Sequence, residues 1–368
     1  KDISIELKKV LDAIRVFLGG KFSADRYTFL YYFSDSRGGS GQYGALEHNY
    51  SSFYYMPDVP GAASAFMVKQ LMSTSAHEFY HTVTPLNLHS EEIGNFDFND
   101  PKMSEHLWLY EGVTEYNADY IQLRENLIDL EDYAKIIKDK LNSSASYNDT
   151  LPFTVMSKGA LDKYEDQYAN VYQKGALIGL CLDILIREES NGSQSLQDVI
   201  NILVEKYGKD KSFKDDELFG EITSMTSPKI GEFFNEYVSG PNVIPYDEFI
   251  SKVGFSLVKK PFEKIDMGGL AMGFNDQTFR LVVVKIDDPD NPVVKDLGIK
   301  MGDELVSYNG NEISFQNARG IFGSAKNSIK KGDKLELVVA RKDANGSESN
   351  VKLDAIITST KTSYDNDV

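Results

Sequence analysis

An intrachain disulfide is excluded, because the 368 residues contain a single cysteine, Cys181. That thiol lies in the apolar stretch 176–186, which marks it as a core group rather than a nucleophile. Long apolar runs are missing as well. The most apolar one, 175–186, already contains Asp183 and is too short to span a bilayer. Positive charge is in deficit: 39 Lys and Arg stand against 56 Asp and Glu, a formal net charge of −17. Such a chain repels phosphate backbones, so nucleic acid and anionic membrane surfaces are poor partners for it and no nucleic-acid partner is expected. With 28 Gly and 11 Pro the chain is not of low complexity. Lys1 opens it with neither Met nor a signal-peptide pattern, as expected of a trimmed piece or of a soluble protein whose leader was removed into an extracytoplasmic compartment.

What is present points to two domains, since about 150 residues per domain is the usual scale. Leu7, Val10, Leu11, Ile14 and Leu18 follow a helical period that Gly19-Gly20 stops. Residues 27–33 read as an aromatic strand, 34–43 as a glycine-rich loop and 45–55 as a second strand. Helical patterns follow at 62–83, ended by Pro85, and at 107–124, 130–141 and 171–189. Ser195 and Asp198 form a capping box for a helix over 196–207, and Pro228 starts another that Gly240 ends. After about residue 251 short β-type runs alternate with the turn pairs Gly302-Asp303, Asn309-Gly310 and Gly332-Asp333. The expected division is 1–250, mainly helical; 251–358, small and β-rich; and a polar, disordered tail over 359–368.

Histidine is scarce but not scattered. All five, His48, His77, His81, His89 and His106, fall between positions 48 and 106. His89 and His106 read as satisfied structural histidines. His77-Glu78-Phe79-Tyr80-His81 is an HExxH, which on a helix puts both imidazoles on one face to grip one ion. Glu78, one residue along, reaches a water on that ion rather than the ion itself. Chance produces such a motif in a chain of this composition on the order of half a percent of the time. A catalytic zinc needs a third protein ligand and an open position. Position 87, where one known pattern has a third His, is Asn87, which excludes that pattern. Glu91 and Glu92 lie nearby, but Glu111 is better placed, because a carboxylate inside the apolar stretch 107–112 needs a partner. Glu115, four residues on, shares its helix face and suits the free ring N–H of a ligating His.

Together, His77–His81, the segment Trp108-Leu109-Tyr110-Glu111-Gly112 and Tyr172-Gln173-Lys174-Gly175-Ala176 resemble the glutamate-zincin metallopeptidases. The chain is most similar to the glycyl aminopeptidase family, whose members join a thermolysin-like domain to a PDZ domain. Gly44-Ala45-Leu46-Glu47-His48 resembles that family's Gly-Gly-Leu-Glu-His element, with Ala45 in place of a Gly. Residues 233–240 resemble its closing helix, and 298–305 the helix-to-strand signature of bacterial PDZ domains. The resemblance implies an α+β fold, a mainly helical zincin domain at 1–250 and a PDZ domain at 251–358. It implies zinc on His77, His81 and Glu111, with Glu78 as general base. It makes Tyr172 the donor to the oxyanion, Glu47 the counter-charge for a substrate's free amine, and the edge strand with Gly44 and Ala45 a partner for substrate backbone. The implied activity is removal of small N-terminal residues from peptides. The alternatives are a zinc endopeptidase or oligopeptidase, and a catalytically idle protein that binds peptides through its PDZ domain. There the glycine-rich segment 267–274 is expected to take a peptide C-terminus.

Overall fold

The computed structural model describes residues 3–20, 26–34, 44–58, 64–266, 268–275, 278, 280–313, 317–318, 321–322, 330–343 and 345–368. The chain divides into two compact units. The first gathers the described residues of Lys1–Ser36, Tyr43–Val258 and Asn366–Val368, and the second those of Lys259–Asp365. The units thus part at 258 rather than at 250.

In the first unit, α1 (Ile3–Phe17) buries Val10, Ala13, Ile14 and Phe17 along one stripe. Three strands follow. β1 (Thr28–Ser34) pairs in parallel with β3 (Ser51–Pro57), which pairs antiparallel with β2 (Gly44–His48). The single strand expected over 45–55 is therefore a hairpin, because Asn49-Tyr50 form a turn inside it. The loop expected over 34–43 lies outside the described residues beyond Ser34. The sheet order β1-β3-β2 leaves β2 at an edge among the described strands.

The sheet lies on α2 (Ser64–Tyr80), the helix that carries the HExxH. Phe29, Tyr31 and Tyr54 stack their rings on one another, Phe29 reaches Phe79, and the Tyr31 hydroxyl bonds Ser75 at 2.8 Å. α3 (Glu91–Gly94) is a single turn. A π-helical turn over Trp108–Val113 then runs into α4 (Thr114–Arg124). α5 (Leu130–Ser144), α6 (Phe153–Lys158) and α7 (Asn170–Glu189) complete the surround.

The helix α7 is buried almost all round, as its apolar sequence requires. Asp183, the one acid among its buried residues, accepts from Tyr116, Arg187 and the Leu196 amide, so its burial is compensated. The expected capping box opens α8 (Leu196–Lys206). α9 (Leu218–Met225), α10 (Pro228–Phe233) and α11 (Tyr246–Ile250) close the unit, with a second π-helical turn over Phe234–Val238 after α10. Among the described residues no helix is long and apolar enough to cross a membrane.

The second unit has its own core around Val283, Val294, Leu305, Leu337 and Val339. β5 (Leu270–Asn275), β6 (Arg280–Ile286), β7 (Glu304–Tyr308), β9 (Lys334–Lys342) and β10 (Glu348–Ile356) form an antiparallel sheet in the order β10-β9-β7-β6-β5. The short β8 (Asn311–Glu312) pairs with β7, and α12 (Pro292–Leu297) lies between β6 and β7 in sequence. β4 (Val258–Ile265) pairs with β11 (Thr360–Asp367). That strand corrects the expectation of a disordered tail over 359–368. The sequence there is polar, but Thr362 bonds Glu263 on β4 at 2.6 Å. The Asn366 amide donates to the Asn142 side chain of α5 at 2.7 Å, and Lys138 pairs with Asp367 at 2.7 Å. Partners for backbone and side chains, with Val368 packed against the first core, hold a tail of few apolar residues.

Candidate metal and peptidase site

Helix periodicity brings His77 and His81 to one side of α2. The helix proper ends at Tyr80, yet the His81 amide still bonds the His77 carbonyl at 3.3 Å, so the two rings stay together with centroids 4.7 Å apart. Each ring is held by one nitrogen. His77 Nδ1 meets Glu115 Oε2 at 2.8 Å, and His81 Nδ1 donates to the Thr84 carbonyl at 3.0 Å. Both Nε2 atoms therefore face inward, where Glu111 Oε2 lies 3.2 Å from His77 and 3.6 Å from His81.

Glu111 reaches this point because of two local features. It sits in the π-helical turn, which is wider than an α turn, and that turn leads into the α-helical turn carrying Glu115. The two carboxylates clasp opposite nitrogens of one imidazole. Glycine does the rest. A Cβ on Gly112 would lie 2.5 Å from the Gly175 backbone, and one on Gly175 would lie 2.8 Å from Gly112 Cα. The turn bearing Glu111 and the helix bearing Tyr172 cross in backbone contact there, and this crossing carries Tyr172 to the site, its ring 5.7 Å from that of His77.

Electrostatics follow from burial and these contacts. Burial opposes a charge on His77, but the hydrogen bonds to Glu111 and Glu115 outweigh it and raise the ring well above its ordinary value. Burial likewise raises Glu111, and the His81 and His77 charges overturn that and hold the carboxyl below its usual range. Glu78 is buried, its Oε2 without a hydrogen-bond partner, and burial aided by the Glu47 and Glu111 charges pushes it up to about 8. Burial and then the Glu111 charge raise the Tyr172 hydroxyl far above the tyrosine value, which keeps it a proton donor.

Ala45 and Glu47 face inward on β2, while Gly44, Leu46 and His48 are exposed. A carboxylate oxygen of Glu47 lies with one of Glu78 and a His81 nitrogen in a group whose atoms are within 4.8 Å of one another. His77, His81 and Glu111 form a second group on the same measure. Two imidazole nitrogens and a carboxylate, oriented by their outer partners, are a donor set that suits a divalent cation.

The structure thus brings together His77, Glu78, His81, Glu111, Glu115, Glu47 and Tyr172. It keeps the other histidines apart. His106 is enclosed, its Nε2 donating to the Asp215 carbonyl at 2.9 Å while Nδ1 accepts from Trp108 at 3.0 Å. His89 donates to the Pro85 carbonyl at 2.9 Å. Glu91 and Glu92 open α3 and belong to neither group. Two residues escape sequence reasoning. Tyr168, in the turn that leads into α7, places its hydroxyl 3.3 Å from that of Tyr172. Lys140 lies against Glu115 at 2.6 Å, and its only signal is a charge on the buried stripe of α5 with Tyr133, Ile137 and Leu141.

Fold and site together define a helical unit with a His-His-Glu centre. Residues 70–178, which run from before His77 to beyond Tyr172, match the M61 glycyl aminopeptidase family. The chain is similar in fold to the crystal structure of an aminopeptidase N family protein from Idiomarina loihiensis, with a TM-score of 0.70 and 20% sequence identity. The match covers 99% of this chain and 64% of that one. No curated protein matches the sequence.

Proposed function

We propose that this chain is a zinc-dependent peptide hydrolase that removes residues from free N-termini. The observation that carries the reading is the convergence of His77 Nε2, His81 Nε2 and Glu111 Oε2 beside a buried, unpartnered Glu78 oxygen. The family match over 70–178 supports a peptidase, and the name of the structural neighbour supports the aminopeptidase form of it.

His77, His81 and Glu111 would hold the ion. When bound, zinc supplies Lewis-acid polarisation of a peptide carbonyl and activates water near pH 7. The chain's own groups do the remainder. Glu78 accepts the proton of the attacking water and returns it to the leaving amine. The Tyr172 hydroxyl donates to the oxyanion as the carbonyl becomes tetrahedral. β2, open at one edge among the described strands, pairs with extended substrate backbone. Glu47, inward on that strand and grouped with Glu78, offers a counter-charge to a desolvated ammonium. This carboxylate favours an aminopeptidase over an endopeptidase, and the presence of every acting group opposes the idle reading.

Zinc analysis combined with matched free-amine and N-acetylated peptides tests the proposal. One zinc per chain is expected, lost in H81A, with free-amine peptides cleaved faster. Glu47→Ala should raise KM for the free-amine peptide and leave the acetylated one unaffected. Equal cleavage of both peptides by the native protein would replace the aminopeptidase reading with the endopeptidase one.

A further inference from the structure

Behind His77, on the ring edge opposite Glu111, lies a line of charge that is buried or partly buried. His77 Nδ1 meets Glu115 Oε2 at 2.8 Å, and the other oxygen of that carboxylate, Oε1, receives Lys140 Nζ at 2.6 Å. Lys140 comes from α5, its side chain 11% exposed, and also approaches Asp119 Oδ2 at 3.3 Å. Glu115 and Asp119 sit four residues apart on α4, so the ammonium separates two carboxylates that would otherwise face each other. His81 has no such chain, because its outer nitrogen is held by a backbone carbonyl that no side-chain change removes.

We propose that Lys140 is a positioning residue for the metal centre, fixing the Glu115 carboxylate and through it the His77 ring. The inference rests on the proposed site at His77, His81 and Glu111. Its physical content is orientation. A carboxylate with a partner on each oxygen cannot turn about its terminal torsion, and it holds the Nδ1–H that leaves the Nε2 lone pair for the ion. Without the ammonium, Glu115 keeps one partner and is repelled by Asp119, and the imidazole loses its stop.

Zinc affinity, measured by competition with a coloured chelator, reads this without any turnover assay. The set is the native chain with K140Q, K140R, E115Q, E115Q/K140Q and D119N, each with its metal-free thermal unfolding recorded. K140Q should weaken zinc binding ~10–100-fold, the range for outer partners of metal ligands. K140R should restore most of the loss, and the double variant should bind no more weakly than E115Q. D119N removes the charge of Lys140's other partner and should lower metal-free stability while leaving zinc affinity unchanged. Native zinc affinity in K140Q would overturn the inference, as would losses that multiply in the double variant. Should K140Q not fold, K140R and D119N still decide: a loss of affinity in D119N equal to that of E115Q would reduce Lys140 to a structural ion pair. Failure of the native chain to bind zinc, or binding indifferent to H77A, would strike the proposed centre itself and the inference with it.

Discussion

Replacing Glu78 by Gln removes the proton acceptor and leaves His77, His81 and Glu111 in place. The variant should retain zinc by metal analysis and lose ~10²–10⁴ in kcat. Tyr172→Phe should likewise keep zinc and lower kcat by ~10²–10³, with KM little changed, because the hydroxyl acts on charge that develops only in the transition state. A Glu78→Gln protein with native turnover would end the mechanism. His106 supports a different prediction. Burial holds its ring below the usual value of 6.5, and both nitrogens are already committed, one as donor and one as acceptor. The unfolded chain takes up a proton below 6.5 that the folded one resists, so unfolding binds protons there and stability rises with pH. The His106 contribution is therefore present above 6.5 and is lost as pH falls toward the depressed folded value. Denaturant unfolding at a series of pH values should show a shallower acid decline in His106→Gln than in the native chain, and identical slopes would refute a neutral buried ring.

Among the elements, the crossing of the π-helical turn with α7 decides the site. The sequence pattern of 107–124 reads as one continuous helix, and its periodicity carries no mark of the wider turn over Trp108–Val113. Glycine at 112 and 175 signals close approach only when both positions are seen to meet. Gly112→Ala puts a methyl group 2.5 Å from backbone that cannot rotate away, so the helices must part. Overpacking of this kind costs about 1–3 kcal/mol, and here it also separates Glu111 from Tyr172. The control is Gly220→Ala in α9, where nothing lies within 4 Å of the added Cβ. That change should stabilise by roughly 0.5–1 kcal/mol through helix propensity. Urea unfolding of the two variants, with zinc titration of the first, should show opposite signs. A neutral Gly112→Ala would mean that the crossing does not set the site.

At the scale of the whole molecule, β5 is the last strand in the sheet order of the second unit among the described strands, the kind of edge to which an extended peptide could add. The glycine turn before it is less suited to the carboxylate expected there. Met267 lies outside the described residues, the Gly268 N–H already donates to Asp266 at 3.2 Å, and a Cβ on Gly269 would meet the Asp287 carboxylate at 2.5 Å. Two aspartates beside the turn repel a terminal carboxylate. The amidated form of a peptide is thus expected to bind this protein at least as tightly as its free acid in a calorimetric titration. A strong preference for the free acid would show that the turn reorganises to receive it.

The mixed helical and sheet character, the pair of histidines, the acid beside them and the helical carboxylates at 111 and 115 were all legible in the chain, because helix periodicity is local and four residues return a side chain to the same face. The breaks were less so. A turn at Asn49-Tyr50 carries no glycine or proline, and the strand over Thr360–Asp367 has too little apolar content to announce itself. Tertiary structure alone decided the meetings that no motif announced: Glu115 with Lys140, Asp119 with Lys140, Tyr116 with Asp183. Each of these pairs joins separate elements of the fold, and which elements approach is set by packing, above all the glycine contact at 112 and 175, not by any spacing along the sequence.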